Sequence, residues 1–275
     1  MTPPPFNASD GLPARKSYPY AKEKLHYVGH YQNIFAVGMK NSWPGGRVYI
    51  DLLAGSGKCR MADSSEEFDG SPLLSEQAPF TKRVFVEAAP MLASALRQRA
   101  TSDPVILEAD CNAPETIARI RAEMPPNALG LAFVDNLGTD VTFETLRALT
   151  HDRKIDLVIV VQIGDLTRNI LDALEGNQGR ERFDEFFGDP SWSTLVEQLK
   201  TQNAEARTIA DALVKFYEDR LRTIGYDHIA ASTMVMKNST NAAQYRLVLA
   251  GKHAKAVEFF RKIEKINPRG QRSLL

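Results

Sequence analysis

Apolar positions along this chain repeat with two periods. From Ala21 to Met39 they recur at helical spacing, with Leu25, Val28, Ile34, Phe35 and Val37 on one face, until Trp43-Pro44-Gly45-Gly46 stops the run. Downstream, short apolar runs alternate with helical segments, the arrangement that builds a parallel sheet. Strands are predicted at Arg47 to Leu53, Arg83 to Ala88, Val105 to Ala109 and Leu129 to Asn136. Three more follow at Asp156 to Ile163, His228 to Lys237 and Ala243 to Gly251. Leu131 to Val134 and Leu157 to Val161 are apolar without alternation, as strands covered on both faces are. Ser71-Pro72, Ala89-Pro90 and Ala113-Pro114 put proline where a first helical turn begins, a position whose amide has no helical partner.

Only Lys237-Asn238-Ser239-Thr240-Asn241 separates the last two strands, which predicts an antiparallel hairpin rather than a crossover. The stretch from Gly164 to Gly225 is longer than one crossover needs, so a helical insertion over about 165–203 is expected, followed by a crossover helix from Glu205 to Ile224. Within it Phe183, Phe186, Phe187 and Trp192 are packing residues or the wall of a substrate site. Pro3-Pro4-Pro5, Pro13 and Pro19 interrupt any periodicity at the start, so residues 1–20 are expected to be a flexible arm and residues 21–275 one domain.

Composition narrows the class. Thirty-four basic residues balance thirty-four acidic ones, so any nucleic-acid surface must be local. Two cysteines, Cys59 and Cys111, make no secreted-type disulfide framework, and no apolar run is long enough to span a bilayer. A cytoplasmic protein without membrane contact is expected. The helix from Lys252 to Ile266, with Arg269 and Arg272 after it, carries seven basic and two acidic side chains, and Arg15, Lys16, Lys22 and Lys24 add positive charge at the other end. These ends are either a phosphate-contacting surface or solvated faces. His26 and His30 have metal-ligand spacing without a third ligand nearby, and either cysteine is a thiol without an evident activating partner.

The chemistry points to Tyr49-Ile-Asp-Leu-Leu-Ala-Gly-Ser-Gly-Lys58, where an apolar strand ends in Asp51 and breaks into a glycine turn. A phosphate-binding loop is excluded, because Leu52 stands where its first glycine belongs and Cys59 where its hydroxyl belongs. A dinucleotide fingerprint lacks its third glycine, replaced by Arg60.

Asp51-Leu-Leu-Ala-Gly-Ser-Gly57 resembles the first motif of class I S-adenosylmethionine-dependent methyltransferases. With Gly70-Ser-Pro-Leu-Leu74, Phe85-Val-Glu87, Phe133-Val-Asp135, Gly138, Gly225-Tyr226 and Tyr245-Arg-Leu247, it resembles the three-Cys-motif partner proteins over nearly the whole chain. The resemblance implies a Rossmann-like α/β fold, a mainly parallel seven-stranded sheet of order 3-2-1-4-5 closed by the antiparallel hairpin. It implies S-adenosylmethionine as cofactor, with Asp51, Ala54, Gly55 and Gly57 around its amino-acid portion, Glu87 on the ribose and Asp110 on the adenine. Asp135 and Asn136, at the end of the fourth strand, become the catalytic candidates. The family reads Asp-Pro-Tyr-Gly there and this chain reads Asp135-Asn-Leu-Gly138, which removes the aromatic face against which a flipped base would stack. The implied function is a methyltransferase-like protein acting on or beside nucleic acid. The alternative is an inactive adaptor beside a three-cysteine, radical-enzyme-like iron–sulfur partner.

Overall fold

The computed structural model describes residues 6–41, 43, 45–176, 179–232, 236–237 and 243–266, the side chains of 236, 237 and 243 excepted. The chain opens with β1 (Arg15–Ser17), α1 (Pro19–Gly38) and β2 (Arg47–Asp51), then β3 (Lys58–Met61), β4 (Glu67–Asp69) and α2 (Ser71–Glu76). Next come β5 (Lys82–Val86), α3 (Pro90–Arg99), β6 (Val105–Leu107), α4 (Pro114–Glu123), β7 (Leu129–Val134), α5 (Phe143–Thr150) and β8 (Lys154–Val161). Four helices follow, α6 (Ile163–Leu174), α7 (Arg180–Phe187), α8 (Trp192–Thr201) and α9 (Ala206–Thr223). The chain ends in β9 (His228–Ala231), β10 (Met236–Lys237), β11 (Ala243–Gly251) and α10 (Ala254–Ile263). Prolines stand in the first turns of α2, α3 and α4, as the sequence predicts.

The main sheet runs β6-β5-β2-β7-β8-β11-β10, with β9 also paired to β11. From β6 to β8 all neighbours are parallel, whereas β11 is antiparallel to β8, β9 and β10. The first five expected strands therefore lie in the order 3-2-1-4-5, and the last strand closes the sheet in reverse. This is the Rossmann-like arrangement of class I methyltransferases. The expected sixth strand is divided into β9 and β10, which pair successive parts of β11. The turn expected between them and β11 falls on residues 238–242, outside the described residues.

Strand alternation divides the core. Tyr49, Phe85, Leu131, Phe133, Val158, Val160, Leu247 and Leu249 pack toward α1, α3 and α10 through Tyr31, Phe35, Leu96 and Phe260. Ile50, Val84, Val134, Leu157, Ile159 and Val248 face the other layer, built from α4 to α9. In that layer Phe183, Phe186, Phe187 and Trp192 are buried, Phe186 stacks on Tyr217 at 4.7 Å, and Trp192 donates to Asp184 at 2.7 Å. These aromatics pack the core.

One feature goes unread in the sequence and one expectation is corrected. After the glycine turn, β3 and β4 form an antiparallel hairpin to which β1 adds in parallel. Cys59 and Met61 alternate inward along β3, a pattern the charged residues around them obscure. From Phe6 onward, the segment expected to be a flexible arm is held in place. Arg99 donates to both oxygens of Asp10 at 2.9 and 2.8 Å, and to the carbonyls of Leu12, Pro13 and Ser56. Ser9 bonds Glu67, and Arg60 lies over Phe6 and donates to Asn7. Proline-rich composition suppresses helix and strand propensity but leaves polar side chains able to fasten the chain.

Asp156 shows what the fold tolerates. Burial raises its carboxyl to about 7 even though the Lys252 N–H donates to it at 2.8 Å. Asp51 is likewise raised to about 7 by burial. A carboxyl whose folded value exceeds its unfolded one stabilises the protein while protonated, and that contribution is lost as pH rises between the two values.

Two measurements check these points. In urea titrations from pH 4 to 8, wild-type stability is expected to fall toward pH 7, and Asp156→Asn to flatten that fall and exceed wild type at pH 8 by on the order of 1–3 kcal/mol. Limited proteolysis of Arg99→Ala is expected to cut within residues 6–17 at least about tenfold faster than wild type while the remainder stays resistant, because only local contacts are released.

Candidate cofactor and acceptor site

The glycine turn follows β2 at the centre of the sheet, where the strand order reverses and ligands of open parallel sheets bind. Gly55 and Gly57 have φ of 65° and 82°, the left-handed region that glycine occupies without a Cβ penalty. A Cβ on Gly57 would lie 2.9 Å from Leu96, so this glycine is required by packing. A Cβ on Gly55 would meet nothing within 4 Å, so that face of the turn is open to a ligand.

Glu87, just beyond β5, holds the turn, accepting from the Gly55 N–H at 2.8 Å and from the Ala89 N–H at 2.8 Å. Each oxygen keeps a further lone pair for a hydroxyl. Asp51 is fully buried beneath the turn, accepting from Leu53 N–H at 3.3 Å and Tyr49 hydroxyl at 3.1 Å. It supports the backbone and does not line the cavity. Asp110 is exposed beyond β6, where it accepts from the Asn112 N–H at 2.9 Å. It too lies outside the cavity.

A cavity of about 300 Å³ opens beside the turn, between β1, the start of α1 and the end of β7, and Ala54, Gly55 and Gly57 line it. Asp135 reaches it from β7, 4% exposed, with Oδ1 paired to the Lys24 ammonium and Oδ2 paired to Arg15 at 3.1 Å. Burial alone would raise this carboxyl, but the two cations more than offset it and hold Asp135 below its ordinary value. Asn136 takes no part in the cavity. Its amide donates to the Val160 carbonyl at 3.3 Å and accepts from the Val141 N–H at 3.0 Å, and Gln162 donates to its carbonyl at 2.6 Å. Asp135 and Asn136 are expected together as catalytic candidates; of the two only Asp135 lines the cavity, and it is already ion-paired.

The residues missed by sequence are those from the N-terminal side. Lys24, 6% exposed, lies on the helix face of Val28, Tyr31 and Phe35, and the 4-3-4 spacing of these positions was the available signal. Tyr20 and Tyr245 stand edge to face at 6.0 Å, and Lys24 lies 5.4 Å over the Tyr245 ring. Tyr245 donates to the Tyr20 carbonyl.

Other expected chemistry finds little support. Burial raises the Cys59 thiol, and burial with Asp110 beside it pushes Cys111 up to about 12, so neither is an activated nucleophile. His26 and His30 meet edge to face at 4.4 Å, and no group of three or more potential metal ligands exists among the described residues. Of the basic helix, Lys252 lies 3.7 Å over Tyr226, Arg261 pairs with Glu264 and Lys262 with Glu258; Arg269 and Arg272 are outside the described residues. Among the described residues no helix is long and apolar enough to cross a membrane.

Fold and turn together define a Rossmann-like α/β protein with the strand order of class I methyltransferases. No family model matches the chain, and no curated protein does. Among solved structures it is similar to protein LPL1258 of Legionella pneumophila, of family-model DUF519, at 8% identity over 92% of this chain and 95% of that one, with a TM-score of 0.50. A more distant likeness is to an O-methyltransferase from Bacillus cereus in complex with SAH, with 13% identity, 88% and 85% coverage and a TM-score of 0.44. Another is to the O-methyltransferase TomG from Streptomyces achromogenes in complex with SAM, with 14% identity, 88% and 84% coverage and a TM-score of 0.42. At these identities the likeness concerns the fold.

The buried ion pairs generate a double-mutant test. Asp135→Ala leaves Lys24 buried without its partner and is expected to cost about 3–5 kcal/mol in urea unfolding, whereas Asp135→Asn with Lys24→Met is expected to recover most of that loss.

Proposed function

We propose that this protein binds S-adenosylmethionine at the glycine turn and is a methyltransferase acting on a small acceptor held in the adjoining cavity. The observation that carries the reading is Gly55. Its backbone is left-handed, its N–H is anchored by Glu87, and the space above its Cα is open, at the switch point between β2 and β7. The turn backbone at Ala54, Gly55 and Gly57 would hold the amino-acid portion. The spare lone pairs of Glu87 would accept the ribose hydroxyls, and exposed Asp110 the adenine amino group. Bound there, S-adenosylmethionine supplies a methyl group on a sulfonium. The chain's own part is positioning: Lys24 and Arg15 fix the Asp135 end of the cavity, and Gln162 fixes the loop after β7.

Of the cations expected to meet nucleic acid, Arg15 and Lys24 pair with buried Asp135 and Lys252 lies over Tyr226, while Arg261 and Lys262 are engaged at the surface by Glu264 and Glu258. This favours a small acceptor over a polymer laid along α10. One observation favours the adaptor reading beside a three-cysteine iron–sulfur partner. Both oxygens of Asp135 are ion-paired and Asn136 is tied to backbone, so neither stands ready to take a proton.

Calorimetric titration of S-adenosylmethionine, S-adenosylhomocysteine and NAD tests the cofactor. Micromolar binding of the two sulfur compounds and not of NAD is expected. Gly55→Asn, chosen because asparagine tolerates the left-handed region, is expected to weaken binding at least about tenfold with an unchanged melting curve. A folded wild type that binds neither sulfur compound overturns the reading. Cofactor binding without methyl transfer to any acceptor favours the adaptor.

A further inference from the structure

The charge of the cavity selects what the acceptor can be. Arg15, Lys16, Lys24, Lys58 and Arg168 line it, against one carboxylate, Asp135. Glu67 lies 3.8 Å from Lys58, a partial counterweight from outside the cavity. Asp135 is shared between two cations, so that cluster keeps a positive charge in a buried setting, offset in part by Asp51 beneath the turn, whose carboxyl acts on Arg15 and is raised by burial to about 7. In such a setting a positive field is screened far less than at the surface. The cofactor inferred above adds to it, since its ammonium and carboxylate cancel and its sulfonium remains.

A cation would enter this cavity against the field, and a neutral amine would become a cation on methylation, against the same field, and would then need a base to take its proton. Among the groups at the β7 end neither Asp135 nor Asn136 is available for that task. An anion meets both conditions. Tyr20 and Tyr245, with Tyr18 stacked on Tyr20 at 5.6 Å, give the wall beside Lys24 an aromatic character suited to a planar molecule.

We propose that the cavity recognises an oxyanion, the carboxylate or phenolate of a small planar acid, as the methyl acceptor. This rests on the cofactor reading above. The oxyanion brings its own electron pair, which becomes the new oxygen–carbon bond. No proton leaves, and the pair of the broken carbon–sulfur bond stays on sulfur. Lys24 and Arg15 act as positioning residues, and Arg168, exposed at the mouth, draws the anion in.

The test separates the two readings by order of addition. S-adenosylhomocysteine is titrated first, and failure to bind refutes the cofactor reading and the acceptor proposal with it. The protein saturated with S-adenosylhomocysteine is then titrated with benzoate, benzamide and benzylammonium, which share a shape and differ in charge. Benzoate is expected to bind at least about tenfold tighter than the other two, and Arg168→Gln to weaken benzoate several-fold while leaving benzamide unchanged. Because Arg168 is exposed, this variant keeps its fold even if Lys24→Met does not. Equal or tighter binding of benzamide or benzylammonium, binding of none of the three at millimolar concentration, or an Arg168→Gln variant that binds benzoate as wild type does, overturns the acceptor proposal and leaves the cofactor reading standing.

Discussion

The arrangement around the cavity depends on one buried carboxylate and its two cations. Asp135 sits at the end of a central strand, Lys24 on the first long helix and Arg15 on the short strand before it. Each charge alone would be costly in this interior, and breaking such a set by removing one member leaves an uncompensated charge. The triad therefore fixes where α1 begins, how β1 lies against β3, and which atoms face the glycine turn. A hydrophobic contact could bury similar area but would not specify that register. Backbone pairing of Arg15, Lys16 and Ser17 with Cys59, Arg60 and Met61 follows the same alignment.

The site also distributes charge unevenly between two neighbouring acids. Asp51 and Asp135 end adjacent parallel strands, and the negative charge of Asp135 adds to the burial that raises Asp51. Asp135 stays ionised because cations hold it; Asp51, served by a tyrosine hydroxyl and a backbone amide, titrates near neutrality. Environments that separate two titrations in this way give the two carboxyls different work, one electrostatic and one structural.

Much of the sheet was legible because its central strands are apolar without interruption and the helices between its first strands begin at proline. Leu131 to Val134 and Leu157 to Val161 are covered on both faces and read so. The glycine turn was legible because its spacing excludes other nucleotide motifs. What escaped depends on pairing across long separations. Lys24 counts as a surface charge until Asp135, 111 residues later, is known to face it. Arg15 reads as part of a flexible arm until Cys59 offers it a strand edge. Asn136 looked chemical because polar residues at strand ends often are, yet its amide completes two backbone hydrogen bonds that no pattern announces. The basic helix illustrates the reverse, since residue counting sees charge and not the acids and rings that engage it.

The parallel pairing of β1 with β3 has a consequence for how the molecule comes into being. The segment from Phe6 to Ser17 leaves the ribosome before any of its anchors, which are Arg60, Glu67, Arg99 and Asp135. None of these exists when it emerges, and the last arrives only once half the chain has been made. Closing contacts of such long sequence separation is slow compared with forming local structure. These residues are thus made before their anchors and seated after them, and the wall of the cavity is completed after the floor beneath it.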